Sequence, residues 1–177
     1  EMSRKIFTLF SVLILFLWSC GNRTADESSA ENAVLQEADG TLALDMDEAT
    51  CYSDEVNPSS NTAEWNVVVS KPGSFRVWLT SATKDTTDLS YSTSVKLSLL
   101  DKFIEVEPEC DKLVLDSEEV SYPYFRADSY MGSLYISEPG EYSIQVISDK
   151  IMPKEALDTD SGTDTRLMSV ILTPMSR

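Results

Sequence analysis

Apolar and polar residues alternate along most of the chain after residue 41. In 64–70, Trp65 and every second residue after it are apolar, and in 74–80 Phe75 begins the same pattern. A period of two places alternate side chains on opposite faces, so each segment predicts a β-strand with one face on a core. Counting weaker segments, about nine strands are predicted. The further ones include 41–45, 95–99, 112–116, 134–136, 142–146 and 166–173.

Turn-forming residues separate these segments. They include two Pro-Gly pairs, at 72–73 and 139–140, and an Asp-rich stretch at 158–164 with Gly162. Each Pro-Gly pair is followed by an aromatic residue and an alternating strand, a likeness that we attribute to shared turn chemistry. No segment after residue 20 has the apolar period of an amphipathic helix. The pattern therefore predicts an all-β protein, an antiparallel β-sandwich or jelly roll.

The first 20 residues have a different character. Arg4 and Lys5 precede an apolar run over 6–18, which ends at Ser19 and Cys20. This order is typical of a secretory signal peptide, and the run is too short to span a bilayer as a helix. The remaining alternative is a plain secretory signal with an incidental cysteine.

Residues 17–20 read Leu-Trp-Ser-Cys and resemble the lipobox of bacterial lipoproteins, although Trp18 stands where a small residue is usual. The resemblance implies that 1–19 is a cleaved signal peptide and that Cys20 carries the lipid anchor. Gly21 after the cysteine is similar to lipoproteins sent to the outer membrane. The acidic residues 25–27 are similar to the surface-export signals of Bacteroidetes lipoproteins. The expected location is the outer membrane, on its periplasmic or outer face.

Residues 20–40 are polar, acidic and rich in Ala and Ser. A segment with so few large apolar residues cannot bury enough surface to fold, so we expect a flexible tether here. The sandwich is predicted to occupy 41–177, which is long enough for one domain.

The chain has 30 acidic and 14 basic residues and a net charge of −16. Such a surface repels phosphate backbones, which excludes nucleic acid as a partner. The charge either keeps an exported protein soluble or supplies oxygen ligands for calcium. The sequence leaves both explanations open.

Residues 64–79 carry a resemblance to a known family. They read as a tryptophan, alternating valines, Pro-Gly, an aromatic residue and alternating aliphatic residues. This order resembles carbohydrate-binding jelly-roll modules, such as those appended to bacterial α-L-fucosidases and those of families 6 and 35. Residues 42–49 and 132–144 are similar to other strands of these modules. The resemblance implies a galactose-binding-like sandwich that binds a glycan.

Many modules of that kind hold a structural calcium with an acidic residue of the first strand. The matching residues here are Asp45, Asp47 and Glu48, and the resemblance does not choose among them. They are equally explained as solvated carboxylates at a strand end. Cys51 and Cys110 remain after removal of the signal, in a compartment that permits a disulfide. The sequence does not show whether the two thiols are close enough to form one.

Trp65 is in phase with the core residues of its strand, whereas Trp78 is out of phase and predicted to face outward beside Arg76. An outward tryptophan is either covered by a loop or offered to a ligand, and sugar rings stack on such side chains. The aromatic segment 122–130, interpreted as a loop, is the second candidate site. Its polar and aromatic members are Tyr124, Arg126, Asp128 and Tyr130, which otherwise cap the edge of the core.

The chain contains no histidine, which removes Ser-His-Asp and Cys-His nucleophile systems and the common zinc sites. No pair of acids stands out for glycosidase chemistry, so we expect a protein without catalytic activity. Two functions remain: a glycan-binding lipoprotein, or an accessory lipoprotein that docks on an outer-membrane protein complex. A continuous apolar face through Val68, Trp78 and Leu100 would favour the second.

Overall fold

Two β-sheets face each other in the computed structural model, which describes residues 33–152 and 164–175. The described residues form eleven strands and no α-helix, with short 3-10 turns at Met46–Glu48 and Pro58–Ser60. The strands are β1 (Val34–Leu35), β2 (Leu42–Asp45), β3 (Thr50–Tyr52), β4 (Thr62–Val69), β5 (Gly73–Thr83), β6 (Val95–Leu99), β7 (Lys102–Val106), β8 (Lys112–Val114), β9 (Phe125–Ile136), β10 (Gly140–Ile147) and β11 (Thr165–Pro174). The predicted β-sandwich is confirmed.

The first sheet has the order β1-β4-β10-β6-β7, with β3 also paired to β4. The second has the order β2-β11-β5-β9-β8. All pairings are antiparallel except that of β1 with β4, which is parallel. Neighbours within each sheet are mostly distant in sequence, so the fold depends on long-range pairing.

The core lies between the sheets and is built from the in-phase residues of the long strands. Phe75, Val77 and Leu79 of β5 are at most 1% exposed, and they face buried residues of β4 and β10. Trp65 is 1% exposed, as its phase predicts, and its indole Nε1 donates a hydrogen bond of 2.7 Å to the carbonyl of Asp45. This bond joins β4 of the first sheet to the end of β2 in the second.

Both Pro-Gly turns carry the chain from one sheet to the other. The turn at 72–73 leads from β4 to β5, and the turn at 139–140 leads from β9 back to β10. Gly140 pairs with Val69, and Gly73 pairs with Ile136, so the two turns lie side by side at one end of the sandwich. The connections 53–61, 84–94 and 115–124 lie at the opposite end.

The folded part begins upstream of the predicted boundary at 41. Val34 and Leu35 pair with Val67 and Val68 of β4. The side chain of Gln36 accepts hydrogen bonds from the amides of Ser70 and Lys71 and donates one to the carbonyl of Gly40. Residues 33–40 are therefore part of the sandwich and not of a tether. The signal peptide, Cys20 and the rest of the predicted tether lie outside the described residues.

Cys51 and Cys110 are not bonded to each other in the structure. Cys51 pairs with Ala63 in the first sheet, whereas Cys110 lies just before β8 of the second sheet. The bridge considered from the sequence is therefore corrected. Cys51 lies at the β4 edge of the first sheet, which is bonded to β2 through Trp65, whereas β8 is at the edge of the second sheet opposite to β2. Burial raises the pKa of the Cys110 thiol, and the nearby charges of Asp111 and Asp128 add to the shift.

No helix among the described residues is long and apolar enough to cross a membrane.

Candidate functional site

An aromatic pair stands on the outer face of the second sheet. Trp78 of β5 pairs in register with Tyr130 of β9, and their ring centroids are 5.2 Å apart at an interplanar angle of 52°. Trp78 is half-buried and Tyr130 is 44% exposed. Trp78 points outward, because its neighbours Val77 and Leu79 are fully buried and alternate residues of a strand face opposite sides.

A bulge in β9 sets this register. Gly132 opposes Val77 and Tyr130 opposes Trp78, so Met131 is the extra residue between them. Met131 is buried in the core, and Gly132 has φ +124°, a conformation that L side chains rarely adopt. The bulge therefore keeps Met131 inside and Tyr130 outside, beside Trp78.

Charged side chains lie next to the aromatic pair. Arg126 Nε donates a hydrogen bond of 2.8 Å to Asp128 Oδ1, and Arg126 Nη1 donates one of 2.6 Å to Glu119. Thr80 Oγ1 also donates to Asp128, at 3.3 Å, and Lys112 Nζ lies 3.9 Å from the same carboxylate. The Asp128 side chain is only 8% exposed, so its charge is held by these partners. Its hydrogen bond to Arg126 raises the pKa of the guanidinium, and the carboxylates of Asp128 and Glu119 add to the shift.

Trp78 and the charged groups line a hollow of about 210 Å³, and Tyr130 lies beside it, in contact with Trp78. Such a volume is below the usual range for drug-sized ligands. The lining residues come from four neighbouring strands, β11, β5, β9 and β8. They are Trp78, Thr80, Lys112, Arg126, Asp128, Ile171 and Thr173.

A second, larger hollow of about 510 Å³ lies on the same sheet, towards the end with the long connections. Its residues come from the end of β2 and the 3-10 turn after it, from the first half of β11 and from the connection before β9. They are Asp45, Met46, Asp47, Glu48, Glu119, Arg166, Leu167, Met168 and Ser169.

The structure brings the two predicted candidate sites together. Residues 125–130, interpreted as a loop, belong to strand β9, and this strand is the neighbour of the strand that carries Trp78. Arg76 lies on the same outer face, two residues before Trp78, but does not line the hollow. Tyr124 lies just outside β9, where the Lys84 and Arg166 charges are 5.1 and 5.3 Å from its ring centroid.

Four residues of the hollow were not among the predicted site residues: Thr80, Lys112, Ile171 and Thr173. Thr80 is in phase with Trp78 on β5, so the alternation contained the signal for it. The other three come from β8 and β11, and their approach depends on strand pairing. Val68 belongs to the first sheet and Trp78 to the second, so these residues do not form the continuous apolar face that would have favoured protein docking.

The three acids considered for calcium, Asp45, Asp47 and Glu48, all line the larger hollow. Among the described residues, however, no group of three metal-ligating side chains is close enough to hold one ion. The described residues thus provide no ready-made ligand set for the metal. Calcium binding stays a prediction.

No protein-family model matches the chain, and no curated protein matches it. Among solved structures, it is similar to an α-L-fucosidase from Vibrio sp. strain EJY3, with a TM-score of 0.62 and 22% identity. The match covers 81% of this chain and 24% of the fucosidase chain. A GH26-CBM35 β-(1,4)-mannanase from Podospora anserina matches at TM-score 0.47 and 12% identity, over 78% of this chain and 28% of the mannanase chain.

The fucosidase match establishes a shared fold. At 22% identity it is a likeness of architecture alone, and the chain spans about a quarter of the solved chains that it matches. The described residues therefore form a β-sandwich domain like one found within a larger carbohydrate-active enzyme. Its outer face carries an aromatic pair beside a charged hollow.

Proposed function

We propose that the chain is a non-catalytic, glycan-binding lipoprotein, anchored through Cys20 to the outer membrane and facing the periplasm or the cell exterior. The observation that carries the proposal is the Trp78–Tyr130 pair beside the charged groups of Arg126 and Asp128. The anchor rests on the lipobox-like sequence at 17–20.

The chemistry of this face suits a sugar. A pyranose ring presents C–H groups on one side, which stack on an indole or phenol ring, and hydroxyl groups around its edge. Arg126 and Lys112 can donate hydrogen bonds to those hydroxyls, and Thr80 can donate or accept. Since the aromatic rings and polar groups stand on paired strands, they are held in place before a ligand arrives.

The acids of this face are engaged in ways that suit binding rather than catalysis. Asp128 is bonded to Arg126 and Thr80, and Glu119 is bonded to Arg126. The absence of histidine from the sequence supports the same conclusion.

The test is a glycan screen with the lipid-free chain from Gly21 onward, by array and then by calorimetry. We expect saturable binding that Trp78→Ala abolishes and Tyr130→Ala weakens. Tyr135→Ala is the matched control, since Tyr135 is an exposed tyrosine farther along β9 and outside the hollow. Binding that is unaffected by Trp78→Ala would move the site elsewhere. No binding across plant, microbial and host glycans would contradict the proposed function.

A further inference from the structure

The linings of the two hollows adjoin each other on the second sheet. Thr80 lines the smaller one, and its register partner on the neighbouring strand, Ser169, lines the larger one. Paired strands lie about 4.8 Å apart, so only one inter-strand step separates these residues. Arg126 and Glu119 form a second junction: each lines a different hollow, and their side chains are joined by an ion pair of 2.6 Å.

Strand β11 runs along both hollows. Arg166 at one end lines the larger hollow, and Thr173 at the other end lines the smaller one. Seven residue steps at about 3.3 Å each, less one step for the bulge between Leu167 and Ser169, give a length of about 20 Å. A surface of this length is longer than one pyranose ring.

The larger hollow is acidic. Asp45, Asp47 and Glu48 line it together with Glu119, and Arg166 is its one basic lining residue. The charge of the whole chain, −16, has the same sign. Carboxylates accept hydrogen bonds from neutral hydroxyl groups, but they repel carboxylate and sulfate groups on a sugar.

We propose that the site binds an uncharged oligosaccharide and not a single sugar: one ring on Trp78, and the chain continuing along β11 into the acidic hollow. This inference rests on the proposed function. It adds the size and charge of the ligand. It also implies that Asp47 and Glu48 strengthen the binding of longer oligosaccharides over shorter ones.

The experiment measures affinity against chain length, by calorimetry with the lipid-free chain from Gly21 onward. The probes are β-1,4-linked gluco-, manno- and xylo-oligosaccharides of one to six residues, with galacturono-oligosaccharides as the anionic series. In at least one neutral series we expect affinity to rise roughly tenfold or more between the monosaccharide and the tetrasaccharide, because each added ring makes further hydrogen bonds. The anionic series should show no such rise.

The variant Asp47→Ala/Glu48→Ala removes acceptors from the acidic hollow alone. It should weaken tetrasaccharide binding by about three- to tenfold and leave monosaccharide binding unchanged. The control Asp101→Ala/Glu141→Ala removes the same charge from exposed positions outside both hollows and should change neither. Circular dichroism of each variant establishes that it is folded.

Affinity that is independent of chain length, or tighter binding of the anionic series, would overturn this inference while leaving glycan binding intact. An equal loss for short and long ligands in Asp47→Ala/Glu48→Ala would overturn it as well. If the chain bound no oligosaccharide in these series and no glycan in the screen, the proposed function and this inference would both be overturned.

Discussion

Trp78 and Tyr130, 52 residues apart in sequence, are directly opposite each other on β5 and β9, with their rings in contact on the outer face of one sheet. Tilted aromatic pairs at this separation stabilise a sheet beyond the area that they bury. The pair therefore has a structural effect that can be measured without any ligand.

Trp78→Ala, Tyr130→Ala and the double variant form a cycle for that measurement. We expect a coupling free energy of about 0.5–1 kcal/mol from urea denaturation, because each single variant removes the same ring contact. The control cycle combines Trp78→Ala with Tyr135→Ala and should give a coupling near zero. Equal coupling in the two cycles would mean that the ring contact contributes nothing specific.

Replacing Arg126 tests the charged network. Arg126→Leu leaves the carboxylate of Asp128, 8% exposed, with only Thr80 and the exposed Lys112 nearby. We expect a loss of about 2–3 kcal/mol in the free energy of unfolding, less than for a fully buried pair because Arg126 is partly exposed.

The double variant Arg126→Leu/Asp128→Asn should be more stable than Arg126→Leu, since it removes the uncompensated charge. Glu119→Gln is the mild comparison: Glu119 is 53% exposed, so its loss should cost less than about 1 kcal/mol. If the two single variants were equally stable, the buried position of Asp128 would be in doubt.

Asp54 predicts a pH dependence of stability. Hydrogen bonds from the backbone amides of Asn57 and Val56 lower the pKa of its carboxyl from the usual 3.8. Because the pKa is lower in the folded state, the ionised Asp54 carboxylate stabilises the fold. This stabilisation is fully present above pH 3.8 and is lost as the pH falls through the lower, folded-state pKa.

Asp54→Ala should therefore lower the melting temperature at about pH 7, and the difference from the natural chain should shrink near pH 2. Differential scanning calorimetry at the two pH values measures it. Asp101→Ala, an exposed turn aspartate, serves as the control for the change in net charge. A deficit in Asp54→Ala that is the same at both pH values would show that the carboxylate charge is not the cause.

Trp65→Phe tests the bond between the sheets. The variant loses the hydrogen bond from the indole to the Asp45 carbonyl and leaves a small cavity in a fully packed region. We expect a loss of about 2 kcal/mol in urea denaturation. Trp78→Phe keeps an aromatic ring on the half-buried outer face and should cost clearly less. Equal losses would argue against the buried position of Trp65.

The sequence predicted the long strands well because large in-phase residues mark them, as in β5 with Phe75 and Leu79. It failed for the first half of β9, since Ala127 and Ser129 are its inward residues and are too small to show an apolar pattern. The short strands β1 and β3 carry no pattern of their own and form by pairing with the edge of β4.

The sequence allowed most residues of the candidate site to be named, but it did not show that they lie close together in the fold. The out-of-phase position of Trp78 follows from its own strand, and the polar and aromatic character of 124–130 is visible in the sequence. Their proximity depends on the pairing of β5 with β9 and on the bulge at Met131. Neither is encoded in local periodicity, which describes one strand at a time.

The parallel pairing of β1 with β4 also closes one border of the first sheet. β1 pairs with Val67 and Val68 of β4, and β3 pairs with Thr62, Ala63 and Glu64 of the same strand. Among the described residues, only Trp65 and Asn66 in the middle of β4 have no strand partner on that side. A gap of two residues is too short to template a strand of another chain, so this border is protected against edge-to-edge association.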